Sequence, residues 1–165
     1  MADKFHVRLE KEQLIFSAAH FITFNDDICE RLHGHNYRVM AEIRGQLDNN
    51  QYVIDFIALR DTLQEITTEL DHHMLLPTCH PQIKGVADDS EVNVSFQDRR
   101  WVFPLDDCVL LPVANTTAEL LARYIGRQLV ERLEKRTGVV LEHVTVGVDE
   151  NEGQWGICEL ALTAS

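Results

Sequence analysis

No apolar run in this 165-residue chain approaches the roughly 20 residues needed to cross a bilayer, which argues against a helical membrane span. The opening stretch MADKFHVRLEKEQ lacks the apolar segment of a secretory signal, so a soluble, cytoplasmic protein is expected. Basic residues are scarce. Fifteen Lys and Arg face 27 Asp and Glu, and the net charge of -12 opposes non-specific binding to nucleic acid or anionic membrane. An anionic substrate must therefore meet a local basic patch. The four cysteines, Cys29, Cys79, Cys108 and Cys158, contain no C-x-x-C pair, so they suggest neither a thiolate zinc knuckle nor a disulfide framework. Repeats, low-complexity tracts and linkers are also missing, and one domain over 1–165 is expected.

What is present is an ordinary globular mixture, 45% hydrophobic and 25% charged. Residues 5–16 alternate and carry β-branched side chains, predicting a strand that leads into an irregular Ser17-Ala18-Ala19-His20. A second strand fits 35–44, with Tyr37, Val39, Ala41 and Ile43 on one face. Asp55 can cap a helix over 56–70, whose Phe56, Leu59, Leu63, Ile66 and Leu70 recur at helical spacing. Two short alternating runs, 92–96 and 101–103, predict a hairpin. Asn115 or Thr116 begins a long helix over about 117–136, which Gly138 stops. Strands at 139–148 and 154–163 follow, joined by the acidic turn Asp149-Glu150-Asn151-Glu152-Gly153. The fold class is α+β with an antiparallel sheet.

In His33-Gly34-His35 two imidazoles lie two residues apart, and on an extended backbone they project to one face. They can share a metal ion, with His20 supplying a third nitrogen from a neighbouring segment. Three protein ligands leave the fourth position of zinc open, as in a catalytic site. A lone H-x-H pair also occurs by chance on surfaces, and only the flanking residues distinguish the two readings.

Those flanking residues are informative. Phe16-Ser17-Ala18-Ala19-His20 and Cys29-Glu30-Arg31-Leu32-His33-Gly34-His35-Asn36-Tyr37, read with Asp55-Phe56, Leu70-Asp71-His72, Thr117-Ala118-Glu119 and Val148-Asp149-Glu150, resemble the motifs of the 6-pyruvoyltetrahydropterin synthase superfamily. The similarity is greatest to its bacterial 6-carboxytetrahydropterin synthase branch. The resemblance implies the tunnelling fold (T-fold), a four-stranded antiparallel sheet backed by two helices. Such chains assemble into a homo-oligomer, usually a hexamer of two trimers, with active sites between subunits. It further implies a zinc enzyme acting on the pterin 7,8-dihydroneopterin triphosphate in synthesis of queuosine and related deazapurines.

By that resemblance His20, His33 and His35 hold zinc, Cys29 accepts a proton from the substrate side chain, and Asp71 orients His72 for proton transfer. Glu150 binds the pterin and joins the relay, with Thr117 and Glu119 as further pocket residues, although both also suit a helix start. His73 is expected to be a bystander, and His6, His80 and His143 structural or exposed. The triphosphate cradle is open among Arg31, Lys84, Arg99 and Arg100. The chain departs from the family pattern at about 80–112, where the predicted hairpin forms an insertion at the pocket rim. Glu30 adds a second departure, since Glu immediately before x-x-H-G-H resembles a folate-related branch that releases 6-hydroxymethyl-7,8-dihydropterin. Dual or sole formation of that product, 6-pyruvoyltetrahydropterin synthase activity, and non-catalytic pterin binding are the alternatives.

Overall fold

The computed structural model describes residues 3–162. Its first strand, β1 (Phe5–His20), is followed by two-residue strands β2 (Thr23–Phe24) and β3 (Ile28–Cys29), and then by β4 (His33–Gly45) and helix α1 (Phe56–Leu70). Next come β5 (His73–Pro77), β6 (Lys84–Ala87), β7 (Glu91–Phe96) and β8 (Arg99–Pro104). After a single 3-10 turn, β9 (Cys108–Leu111), helix α2 (Ala118–Thr137), β10 (His143–Asp149) and β11 (Trp155–Ala161) complete the chain.

Six strands form the main sheet in the order β11-β10-β4-β1-β5-β9. The first four are the expected antiparallel set. The two additional strands, β5 and β9, pair in parallel, β5 with β1 and with β9. They were not expected because their short apolar runs, His73–Pro77 and Cys108–Leu111, lack alternation. The insertion is likewise a three-stranded sheet, β6-β7-β8, rather than a simple hairpin. Only Gln97 and Asp98 lie in its second turn, so Arg99 and Arg100 belong to β8. Residues 139–142 precede β10 as coil, β11 is shorter than predicted at both ends, and Thr163 lies outside the described residues.

Both helices have the caps their chemistry requires. Asp55 accepts from the Ile57 and Ala58 N–H groups to start α1. Thr117, rather than Asn115 or Thr116, caps α2 by accepting from Leu120 N, and Gly138 ends it in the left-handed region at φ 73. Leu121, Ile125, Leu129 and Leu133 of α2 are fully buried against β10 and β11, each worth about 1.5–3 kcal/mol by transfer from water. A second cluster, Phe21, Met74, Leu76, Ile83, Val92, Val94 and Phe96, lies beneath the inserted sheet.

β1 changes phase along its length. Leu9 faces the core, as do Leu14, Phe16, Ala18 and His20. Between Glu10 and Ile15 the strand advances five residues while β4 advances two, from Met40 to Arg38. This odd surplus is a β-bulge that switches the inward set from odd to even positions. Beyond it the ladder continues through Ser17, Ala18 and Ala19, extending β1 past its predicted end.

Gly156 lies where α2 meets β11, and a Cβ there would stand 2.5 Å from both Ala118 C and Glu119 N. Gly156→Ala should therefore force the first turn of α2 outward, at a cost of about 1–3 kcal/mol. Thermal unfolding should show a fall in Tm of about 3 °C or more.

His80 ties the inserted sheet to β2: its Nδ1 accepts from Gln82 N and Ile83 N, and its Nε2 donates to Thr23 Oγ1 at 2.7 Å. Burial, with Lys84 adding, holds its pKa below the ordinary value. Folding thus disfavours the imidazolium, so its stabilisation is complete above the unfolded value of about 6.5 and declines as pH falls below it. Denaturant midpoints measured from pH 7.5 to 5 should fall more steeply in the wild type than in His80→Gln.

Candidate metal and proton-transfer centre

Register brings the three imidazoles together. In the β1–β4 ladder His20 faces His33, Ala18 faces His35 and Phe16 faces Tyr37. The single methyl of Ala18 opposite His35 leaves space for rings that converge from both strands. Ring centroids lie 4.8 Å apart for His20–His33 and His33–His35, and 5.2 Å for His20–His35. Gly34 permits this approach, since a Cβ there would stand 3.0 Å from the Ala18 carbonyl oxygen.

Main-chain carbonyls select the tautomers. His20 Nδ1 donates to Thr116 O at 2.9 Å and His33 Nδ1 donates to Arg31 O at 2.8 Å. A carbonyl can only accept, so both rings carry their proton on Nδ1 and present a lone pair on Nε2. Burial, opposed by the Thr116 hydrogen bond and aided by His33 and His35, lowers the His20 pKa to about 4. That ring is neutral at physiological pH, the state in which imidazole binds a metal.

Ring nitrogens of the three residues lie within 4.8 Å of one another. His20 Nε2 and His35 Nε2 are buried without a hydrogen-bond partner. Glu150 Oε1 stands 3.3 Å from the first and 3.5 Å from the second. Buried orphan acceptors are costly unless something else satisfies them. A donor set of three imidazoles with a carboxylate alongside suits a divalent cation of the zinc type. These three histidines can hold a metal ion.

Glu150 is positioned by its neighbour. Asp149 is buried and accepts from Gly153 N, Gln154 N and the Arg38 guanidinium, fixing the acidic turn. Burial pushes the Asp149 carboxyl up, but these donors outweigh it and hold the group below the usual carboxylate range. Glu150 N closes the turn by donating to Gln154 O.

Cys29 and Glu30 lie at the end of the β2–β3 hairpin. Glu30 Oε2 is 3.9 Å from His33 Nε2 and accepts from Ile22 N at 3.3 Å. The half-buried Cys29 thiol donates to Glu30 O at 3.5 Å. Burial pushes that thiol up; Arg99 opposes the shift and Glu30 adds to it.

Asp71 and His72 form the expected pair, with His72 Nδ1 2.8 Å from Asp71 Oδ2. Asp71 Oδ1 also accepts from Ser17 N, the chief reason its carboxyl lies below the usual range. His72, at a left-handed φ of 61, donates its N–H to Ser17 O, while its ring is 81% exposed. The ring opens on a cleft of about 590 Å³ that also includes Ser17, Leu32, His35 and Phe103. An adjoining cleft of about 730 Å³, which shares Gly34, His35 and Asn36 with the first, passes Arg38 and Glu150. Thr117 is occupied in capping α2, and Glu119 is exposed in its first turn.

Arg31, Lys84 and Arg100 are exposed, whereas Arg99 donates to main-chain carbonyls. His73 Nδ1 donates to Asp71 O, and His6 and His143 are exposed. Two residues of the centre escaped the sequence reading. Thr116 is fully buried and acts through its carbonyl, which any residue could supply. Tyr37, read only as a core residue, has a buried hydroxyl without a hydrogen-bond partner and packs its ring 5.4 Å from that of His35.

Comparison with known proteins identifies the family. The chain is 32% identical over 146 residues to a Methanocaldococcus jannaschii protein assigned as a 6-carboxy-5,6,7,8-tetrahydropterin synthase, covering 88% of each chain. It is 27% identical over 123 residues to the Haemophilus influenzae 6-carboxy-5,6,7,8-tetrahydropterin synthase, covering 72% of this chain and 79% of that one. Its fold matches a Plasmodium vivax 6-pyruvoyltetrahydropterin synthase in which a catalytic glutamate is replaced by alanine. That match has a TM-score of 0.89 and 27% identity, and covers 98% of this chain and 100% of the other. With the family model for 6-pyruvoyl tetrahydropterin synthase matching residues 9–160, the chain belongs to the 6-pyruvoyl tetrahydropterin synthase family.

Proposed function

We propose that this protein is a zinc-dependent 6-carboxy-5,6,7,8-tetrahydropterin synthase acting on 7,8-dihydroneopterin triphosphate, a cytoplasmic enzyme serving queuosine and related deazapurine synthesis. The observation that carries this reading is the convergence of three imidazoles, two with orphaned Nε2 atoms, beside a loop bearing both Cys29 and Glu30. Likeness to archaeal and bacterial proteins of that name supports the reaction class.

His20, His33 and His35 hold the zinc, which when bound acts as a Lewis acid toward the hydroxyl or carbonyl oxygens of the substrate side chain. Cys29 removes a proton from that side chain and must be a thiolate to do so. Glu150, half-buried beside His20 and His35, offers two carboxylate oxygens to the pterin ring N–H and amino group. Asp71 holds His72 in one tautomer for proton return. The exposed ring, opening on a cleft, suits action across an interface, consistent with a hexamer of two trimers. Loss of triphosphate and cleavage of the side chain then give 6-carboxytetrahydropterin and acetaldehyde.

A second product is favoured by one specific contact. The Glu30 carboxylate stands 3.9 Å from His33 Nε2, and Ile22 N donates to it. The Plasmodium vivax relative also has a glutamate among its catalytic residues. We therefore read the loop as carrying two bases, with Glu30 directing formation of 6-hydroxymethyl-7,8-dihydropterin.

The purified protein should contain about one zinc per chain, and His33→Ala should lose most of it together with turnover. Emission spectrometry of both proteins decides this, and a metal-free wild type that keeps full activity would refute the ligand assignment. Incubation with 7,8-dihydroneopterin triphosphate, followed by chromatography and mass spectrometry, separates the two products. Cys29→Ala should retain zinc and lower 6-carboxytetrahydropterin by about 100-fold, with Glu30→Ala acting similarly on the hydroxymethyl product. A single wild-type product unaffected by Glu30→Ala would remove the second base.

A further inference from the structure

The loop carrying Cys29 and Glu30 has little to hold it within its own sequence. Two residue pairs, Thr23 with Cys29 and Phe24 with Ile28, make up its ladder, and a hairpin this short is marginal alone. Its turn passes through Asn25 and Asp26 in the left-handed region. One backbone bond joins its end to the site, Glu30 N donating to Ile22 O at 3.0 Å.

The inserted sheet supplies what is missing. Arg99, the first residue of β8, donates from the same Nη1 to Cys29 O at 2.7 Å and to Glu30 O at 3.0 Å. One cationic nitrogen thus grips two successive carbonyls, those of the two residues that differ in the proposed chemistry. Gln97 Nε2, in the adjoining turn, donates to Asp27 O. Arg99 is itself held in place. Its guanidinium lies 4.6 Å from the centre of the Trp101 ring, and Trp101 stacks at 4.6 Å on Phe21, which is buried and follows His20 directly. Stacking on the Trp101 ring fixes the direction of the guanidinium, and a single cationic nitrogen makes both carbonyl contacts.

We propose that Arg99 is a positioning residue for the reaction: from the inserted sheet it clamps the main chain of Cys29 and Glu30 so that both side chains stay aligned with the histidine centre. The inserted sheet is therefore an external brace for the proton-transfer loop rather than only a rim, and Arg99 is not available to cradle a phosphate. This inference rests on the catalytic reading of Cys29 and Glu30, but the clamp itself can be measured without turnover.

The test uses zinc-loaded full-length protein with Arg99→Gln and Arg99→Lys. Amide hydrogen exchange of the segment 22–32 should quicken by about tenfold or more in Arg99→Gln, as expected when a hydrogen-bonded unit opens locally. Its kcat should fall by about tenfold or more because small misplacement of reacting groups is costly, while KM and zinc content stay near the wild-type values. Arg99→Lys, which keeps a cation and several N–H donors, should recover much of both. Unchanged exchange and kcat in Arg99→Gln would overturn the clamp. So would a kcat loss matched by zinc loss, or a Lys variant no better than Gln, since those indicate general structural damage. If wild-type protein fails to turn over the pterin while Arg99→Gln still loosens the loop, the proposed reaction falls and the clamp stands.

Discussion

The site depends on the pairing register between β1 and β4. Because His20 lies opposite His33 and diagonal to His35, the three imidazoles meet at one point without any loop having to deliver a ligand. Strand pairing is rigid and cooperative, so the ligands are placed before anything binds to them. The remaining parts follow from that placement. Thr116, just ahead of α2, reaches His20 because α2 packs on the same sheet, and Glu150 reaches the centre from the end of β10, which pairs with β4 on the side away from β1.

Much of this was legible in the sequence, where local chemistry dictates local structure. Asp55 and Gly138 marked helix ends through an acceptor side chain and a residue tolerant of positive φ. The spacing of His33 and His35 showed a shared strand face, and the extension of β1 over Ser17-Ala18-Ala19 was missed because those residues have little intrinsic preference for strands. There the ladder with β4 overrides propensity. The parallel strands β5 and β9 were missed for a related reason: parallel pairing connects distant segments and leaves no turn signal between them. Thr116 was invisible as a site residue, and Arg99 was visible only as a candidate phosphate ligand, because each acts on or through the main chain, which carries no letter in the sequence.

The electrostatics of the centre are made locally against an acidic background. With a net charge of -12 the chain as a whole repels anions. Around the histidines, however, two of the positive groups are already engaged, Arg38 with Asp149 and Arg99 with two carbonyls. Burial leaves the Cys29 thiol with a raised pKa, which Arg99 opposes only in part and to which Glu30 adds. A bound dication would be the dominant local charge and would favour the thiolate, so the proposed metal and the proposed base would be coupled through space rather than through a shared ligand.

The bulge in β1 gives the chain a counting rule. Residues before it face the core at odd positions and those after it at even positions, and His20 belongs to the second set. A change of length by two residues within 11–14 would preserve that parity and leave the ligand facing inward. A change by one that the bulge did not absorb would turn His20 to the opposite face of the sheet while leaving His33 and His35 where they are. The centre would then be lost without any of its residues being altered, so an arithmetic constraint on a segment outside the metal site is part of what specifies that site.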